Sequence, residues 1–389
     1  MPNSSRRPAL QDESPLLIIT DSALVRDALV THISETRRLL IADSHDVGME
    51  LALSFRPALI LLDASSTDGE ALALLRAFRS EPHLDDTFIL VLSDEAAVLE
   101  RLEASRAGAD DFLRLPVDQA ELTARVAVAL RQARLSRRLR AYTRRIEEEM
   151  RLVADLQMRL LPAYTPYLAS LRIDSFYQPS TEASGDYFDH FLLPGEDRLR
   201  VVIADASGHG ARSAVLMTMV RTLFHASHAA NTPLTDMLLE INTNLLDVVG
   251  NEPDFVTLFA ADLDLRGNTL RYVNAGHCPA LLRHPDGTTM RLSGTTPRLG
   301  FFGVRETERL VPFTPGTRLL LYTDGFHDCA TASGRRLGID RFLSLAEATM
   351  RRGGDVLSSL REDISTTFGE PPTWPDDVTA LYIERKEEA

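Results

Sequence analysis

Cysteine is scarce in this chain: 389 residues hold only Cys278 and Cys329. The two fit no metal-ligand spacing and imply no disulfide framework, so a reducing, cytoplasmic setting is expected. No apolar run is long enough to span a membrane and no signal-peptide core is present, so a membrane role is not expected. Positive charge is also short, with 42 Lys and Arg against 56 Asp and Glu and a net charge of −14. Phosphate backbones would be repelled, which argues against nucleic acid as a partner. No glycine-rich loop of the P-loop or dinucleotide type occurs, which counts against a nucleotidyl or small-molecule hydrolase. There are no internal repeats. The length leaves room for two domains and a linker, each domain with its own core.

What the chain has instead is carboxylates at the tips of apolar runs. Four patches stand out: Gly185-Asp186-Tyr187-Phe188-Asp189, Asp205-Ala206-Ser207-Gly208-His209-Gly210, Thr323-Asp324-Gly325 and Asp376-Asp377-Val378-Thr379. The β-branched and apolar run 199–204 leads to Asp205, and the run 317–322 leads to Asp324, both as strands. Asp376 instead precedes a strand, 378–383. Each of these Asp residues is followed by a small residue or a second Asp, which lets the backbone turn sharply. Taken singly, an Asp-Gly after a strand is a turn. Converging carboxylates, in contrast, repel one another unless cations fill the space between them. The donors are all oxygen, which favours Mg²⁺ or Mn²⁺ over Zn²⁺.

In this order the four patches resemble the bacterial, stage II sporulation protein E-type branch of the metal-dependent (PPM, or protein phosphatase 2C-like) protein phosphatases. The resemblance covers roughly residues 165–385 and includes Phe255-Val256-Thr257 and the run 272–279. It implies an α+β domain, an antiparallel β-sandwich flanked by helices, over 163–389. It also implies two Mn²⁺ or Mg²⁺ ions held by Asp186, Asp205, the carbonyl of Ala206, Asp324 and Asp376, with Asp205 shared between them. A metal-activated water is then the nucleophile, and no Ser, Cys or phosphoenzyme is expected. The chain departs from the family in three places: Ser184-Gly185 stands for a double Gly, Asp328 for a Glu, and Ser207 where larger relatives carry a His. The leaving-group acid is therefore unassigned, with His209 and His277 as available imidazoles in Gly-flanked motifs.

The first third reads differently. Apolar runs at 16–19, 59–62 and 88–92 alternate with helical stretches, the pattern of a parallel α/β sheet with functional groups at its strand ends. Thr20-Asp21, Asp63 and Ser93 stand there. Over residues 15–132 the chain resembles a two-component receiver, a flavodoxin-like doubly wound fold, with Asp63 as the phosphoacceptor candidate, Asp21 and Ser93 in its pocket, and supporting segments Asp68-Gly69 and 108–112. One of the two acids usual after the first strand is Thr20 here. The usual Lys before Pro116 is Leu115, and Arg114, one step back, points to the opposite face. An atypical receiver follows, either phosphorylated by an upstream histidine kinase or serving only to dock a protein.

Residues 1–14 are polar and expected to be disordered. Between the domains, residues 119–161 contain neither Gly nor Pro, and residues 133–162 are expected as a helical linker. Leu135, Leu139, Tyr142, Ile146, Val153, Leu156 and Leu160 keep a 3-4 spacing interrupted by Glu149, the seam of a parallel coiled-coil homodimer; a helix packed on its own domain has the same periodicity. The resemblance further implies a phosphoserine or phosphothreonine substrate on an anti-sigma-factor antagonist in a partner-switching pathway. A non-catalytic adaptor that binds a sigma factor or another regulatory protein is the alternative. The segments 231–254 and 295–308 are expected as loops where a partner docks.

Overall fold

The structure is a computed structural model, and it describes residues 14–33, 38–65, 70–93, 105–116, 118–162, 168–181, 183–194, 198–208, 210–250, 252–304, 308–369 and 372–387. The chain divides into two compact units, Met1–Arg145 and Ile146–Ala389. Among the described residues no helix is long and apolar enough to cross a membrane.

The first unit holds five parallel strands, β1 (Leu16–Ile19), β2 (Leu39–Ala42), β3 (Leu59–Asp63), β4 (Phe88–Ser93) and β5 (Asp111–Arg114), in the order β2-β1-β3-β4-β5. This is the flavodoxin-like order, whose switch point lies between β1 and β3. β1, β3 and the first five residues of β4 are buried on both faces, as a sheet covered by helices requires. Leu16, Ile18, Leu59, Leu61 and Leu90 pack on one side with α1 (Ala23–Ile33). Leu17, Ile60, Leu62 and Ile89 pack on the other with α2 (His45–Phe55) and α3 (Glu70–Ser80).

A single helix, α4 (Gln119–Leu160), runs 42 residues. Its first turns bury Leu122, Val126, Ala129 and Ala133 in the core of the first unit. Beyond them Leu135, Leu139, Tyr142, Ile146 and Leu156 are exposed, while Val153 and Leu160 of the expected seam are half-buried among the described residues.

The second unit has two five-stranded antiparallel sheets. One contains β7 (Asp186–Leu192), β8 (Arg198–Ala206), β9 (Val256–Asp264), β10 (Thr269–Ala275) and β13 (Arg309–Pro312). The other contains β6 (Leu171–Gln178), β11 (Ala280–Arg283), β12 (Thr289–Leu292), β14 (Arg318–Tyr322) and β15 (Val378–Arg385). Residues alternate between faces along each strand. Phe188, Val201, Ile203, Phe259, Leu319, Leu321, Leu381 and Ile383 fill the layer between the sheets. Tyr187, Val202, Ala204 and Leu258 face α5 (Ala211–Ala229) and α6 (Leu234–Val249). Leu320, Tyr322, Ala380 and Tyr382 face α8 (Ile339–Arg352) and α9 (Val356–Phe368), beyond the one-turn α7 (Gly325–Asp328). Most of the segment 231–254 is thus not a loop: α6 places Leu234, Leu238, Ile241 and Leu245 at helical spacing into the core.

Candidate functional site

The alternation that builds the sandwich also assembles the acidic site. Asp186 shares a face with Phe188, and Asp205 with Val201 and Ile203, so both point into the layer between the sheets just past its last apolar residues. The two are directly paired across β7 and β8. From the other sheet come Thr323, which follows β14, and Thr379, inside β15, each in phase with the inward-facing residues of its strand. The Thr323 hydroxyl donates to Asp186 Oδ2 at 2.8 Å and the Thr379 hydroxyl donates to the same oxygen at 2.5 Å. One carboxylate thereby ties the two sheets together at their end.

Asp377, next to the expected ligand Asp376, is a scaffold. It is buried and accepts from Ser180 N and Gly185 N at 2.7 Å each and from the Ser180 hydroxyl at 3.0 Å. The glycines here are enforced by contact. A Cβ on Gly325 would stand 2.0 Å from the Asp377 carbonyl oxygen, and one on Gly185 would stand 2.9 Å from the carbonyl oxygen of Ala206, the expected main-chain ligand. From α4, the Gln157 amide holds Ser184 through bonds to its carbonyl at 2.9 Å and from its N–H at 3.1 Å. Sequence gives no role to Asp377, Thr323, Thr379 or Gln157, although the two Thr and Asp377 sit inside the acidic patches.

Electrostatically the cluster is frustrated. Burial pushes Asp205 well above the usual carboxylate range, and Asp186, Asp324, Asp376 and Asp377 all push it further. Asp186 is raised first by burial, with the two Thr hydroxyls opposing and Asp377 and Asp324 adding to it. Asp324 is raised by burial and then by Asp376. The structure therefore brings Asp186, Asp205, Asp324 and Asp376 within electrostatic reach of one another. Nearby Cys278 is held protonated by burial and by Asp324, Asp205 and Asp186, which disqualifies it as a thiolate nucleophile. The donor set suits a hard divalent cation, whose charge would relieve this repulsion. Among the described residues no three His, Cys, Asp or Glu stand at the spacing of a complete metal shell. Mg²⁺-type ions take one or two carboxylates and keep several waters, so the site fits them on that basis.

Three further residues of the sequence motifs find their places here. Asp189 belongs to the same acidic patch as Asp186 but lies an odd number of residues away, so it faces α5. There it accepts from the Tyr187 hydroxyl at 2.7 Å and lies 2.6 Å from His225 Nε2. His277 is buried, with Nδ1 at 2.9 Å from the Thr257 hydroxyl, and burial pushes it down to about 4. At neutral pH it is held as the neutral imidazole and lacks the more acidic imidazolium proton, which favours a hydrogen-bonding role over that of leaving-group acid. Ser207 accepts from Phe255 N through its hydroxyl at 2.9 Å and fixes the turn after Ala206. His209 and Asp68-Gly69 lie outside the described residues.

In the first unit Asp63 ends β3, 3% exposed, beside a cavity of about 650 Å³ that Thr20, Asp21, Asp43, Asp46 and Glu70 also line. The Thr20 hydroxyl donates to Asp63 Oδ2 at 2.6 Å. Ser65 donates to Oδ1 from its N–H at 3.0 Å and from its hydroxyl. The residue that replaces an acid is thus itself bonded to the phosphoacceptor candidate. Ser93 ends the neighbouring β4, in register with the exposed Arg114. Leu115 packs into the core on the opposite side from Phe112.

Comparison with known proteins agrees with both halves. Residues 195–386 match the family model of stage II sporulation protein E (SpoIIE). Phosphoserine phosphatase RsbP of Bacillus subtilis (strain 168) is 32% identical over 162 residues, 41% of this chain and 40% of that protein. The KDP operon transcriptional regulatory protein KdpE of Escherichia coli (strain K12) is 32% identical over 118 residues, 30% of this chain and 51% of that protein. The chain spans about half or less of the length of these curated relatives. Among solved structures, the SiaA-PP2C domain of Pseudomonas aeruginosa superposes with a TM-score of 0.54 at 20% identity, over 63% of this chain and 98% of that one, a likeness of fold.

Proposed function

We propose that this chain, which joins a receiver-like N-terminal region to a SpoIIE-type PP2C phosphatase domain, is a metal-dependent protein serine/threonine phosphatase under the control of that region. The reading rests on one observation: Asp186, Asp205, Asp324 and Asp376 converge at the end of the sandwich, where burial and the neighbouring carboxylates raise Asp186, Asp205 and Asp324 above the usual range. Two Mn²⁺ or Mg²⁺ ions, when bound, activate a water for attack on phosphorus and offset charge on the phosphoryl oxygens. Asp205 and the Ala206 carbonyl present oxygen ligands from the end of β8. Thr323 and Thr379 orient Asp186. Asp377 holds the Ser180 and Gly185 backbone so that the loops meet in one register.

The substrate class is a phosphoserine or phosphothreonine on a regulatory protein of the anti-sigma-factor antagonist type, as part of partner switching. A homodimer through the exposed seam of α4 fits its 3-4 spacing over more than three heptads. Gln157, on the same helix, touches the residue two before Asp186, which offers a physical route by which a change in α4 alters the site. For the receiver-like region a docking role fits best. Both Asp63 oxygens already accept hydrogen bonds, and one Mg²⁺-holding acid and the Lys are replaced. Finding acetyl phosphate label on Asp63 would contradict that assignment.

The test is phosphate release from p-nitrophenyl phosphate and from a phosphoserine protein, with and without Mn²⁺. Asp205→Ala is expected to lose about a thousandfold of metal-dependent turnover, the scale of several kcal/mol of transition-state charge stabilisation. A metal-replete wild type that is inactive even without its first unit would make the chain an adaptor.

A further inference from the structure

The row of paired residues that contains the two central carboxylates continues further across the sheet. Asp186 pairs with Asp205, and Asp205 pairs with Thr257. On the far side of β9, Val256 and Leu299 exchange both backbone hydrogen bonds, at 3.0 and 2.8 Å, as an isolated antiparallel bridge. Leu299 and Val256 both pack into the helix-covered core, so Arg298, one residue before Leu299, turns to the other face, that of Thr257 and Asp205. Opposed residues project to one face. Arg298 therefore lies on the same face as Asp186 and Asp205, two strand spacings from Asp205, roughly 10 Å between backbones.

Its side chain confirms the direction. The guanidinium lies 4.1 Å from the ring centroid of Phe255, the diagonal neighbour on that face, and 5.3 Å from that of Phe301. Two rings hold the cation by cation–π contact. The backbone is held close by Gly276 at φ 66°, where a Cβ would stand 3.0 Å from Arg298 N. Arg298 is exposed, and among the described residues no carboxylate pairs with it. Arg212, also nearby in sequence terms to the site's loops, is different: its Nε lies 2.5 Å from Asp254. A fixed, solvated arginine with an unused fork of donors, beside a site built for a phosphate ester, is equipped to receive an oxyanion.

We propose that Arg298 is a substrate-binding residue that takes an oxyanion of the phosphoprotein, either the phosphoryl oxygens or a carboxylate flanking the phosphoserine. This rests on the phosphatase reading above. The aromatic clamp presets the guanidinium, so binding costs little ordering of the side chain.

The experiment uses the full-length protein with Mn²⁺ and compares wild type, Arg298→Ala and Arg298→Lys. The substrates are p-nitrophenyl phosphate and two phosphoserine peptides, one with neutral and one with acidic flanks. Arg298→Ala is expected to raise KM about tenfold with little change in kcat, as for the loss of a charge-assisted hydrogen bond, and Arg298→Lys to recover part of it. A rise for all three substrates identifies the phosphoryl group, and a rise confined to the acidic peptide identifies the flank. Unchanged KM throughout, or a fall in kcat alone, overturns the proposal. Peptide affinity by fluorescence anisotropy is the second readout: it falls about tenfold in Arg298→Ala whether or not the peptide is hydrolysed. An inactive wild type with that affinity difference would refute the phosphatase reading and leave Arg298 standing; equal affinities would refute Arg298 itself.

Discussion

Each half of this chain ends its strands in a pocket of acids, and the two pockets are solved in opposite ways. Asp63 in the first unit meets donors: the Thr20 hydroxyl on one oxygen, and the Ser65 N–H and hydroxyl on the other. Asp205 in the second unit meets other acids, with Asp186, Asp324, Asp376 and Asp377 all working against its charge. A buried carboxylate supplied with hydrogen-bond donors is stable as it stands. One surrounded by its own kind needs protons or cations. The residue at position 20 carries much of this difference, because a Thr donates where a second Asp would repel.

That comparison can be broken most strongly with metal. Adding Mn²⁺ at about a hundred times its dissociation constant stabilises the folded second unit by about 2.7 kcal/mol, which for a domain of this size raises Tm by roughly 5–10 °C. Differential scanning calorimetry on the full chain should show that rise for wild type and not for Asp205→Asn. A second, smaller effect belongs to the first unit. Thr20→Ala leaves a buried Asp63 oxygen without its donor and is expected to destabilise that unit by about 1–3 kcal/mol in urea unfolding. If Thr20→Ala is neutral, the hydroxyl does not carry the contrast drawn above.

The smallest effect is a pH slope in metal-free protein. The folded-state pKa values of Asp186, Asp205 and Asp324 are raised. Their contribution to stability is therefore complete below the ordinary carboxylate value of about 4 and is lost as pH rises through the higher folded values. His277, buried neutral and pushed down to about 4, works in the other sense, losing stability as pH falls from about 6.5 toward that value. Asp205→Asn removes the Asp205 share of the first contribution and leaves the second. The difference in Tm between wild type and this variant, followed from about pH 5 to 8 in EDTA, should move in favour of the variant as pH rises.

How much of this could be read in the sequence follows from which signals are local. The strands leading to Asp205 and Asp324 were legible because β-branched runs stop at a turn residue, and the order of the four patches carried the fold. The period-two rule also separates Asp189 from Asp186, which stand three positions apart inside one patch. In the same way Leu234, Leu238, Ile241 and Leu245 already spelled a helix where a loop was expected. Other features were out of reach. Asp377 as a clamp on Gly185 spans 192 positions, the bridge beside Arg298 joins Val256 to Leu299, and the burial that lowers His277 comes from packing. None of these leaves a periodic or compositional trace.

The most direct test of the contrast between the two pockets is calorimetric titration of metal-free protein with Mn²⁺. The account predicts saturable binding by wild type, loss of that binding in Asp205→Asn, and an unchanged titration in Asp63→Asn. Binding that survives Asp205→Asn and disappears in Asp63→Asn would place the ion in the other pocket and contradict it.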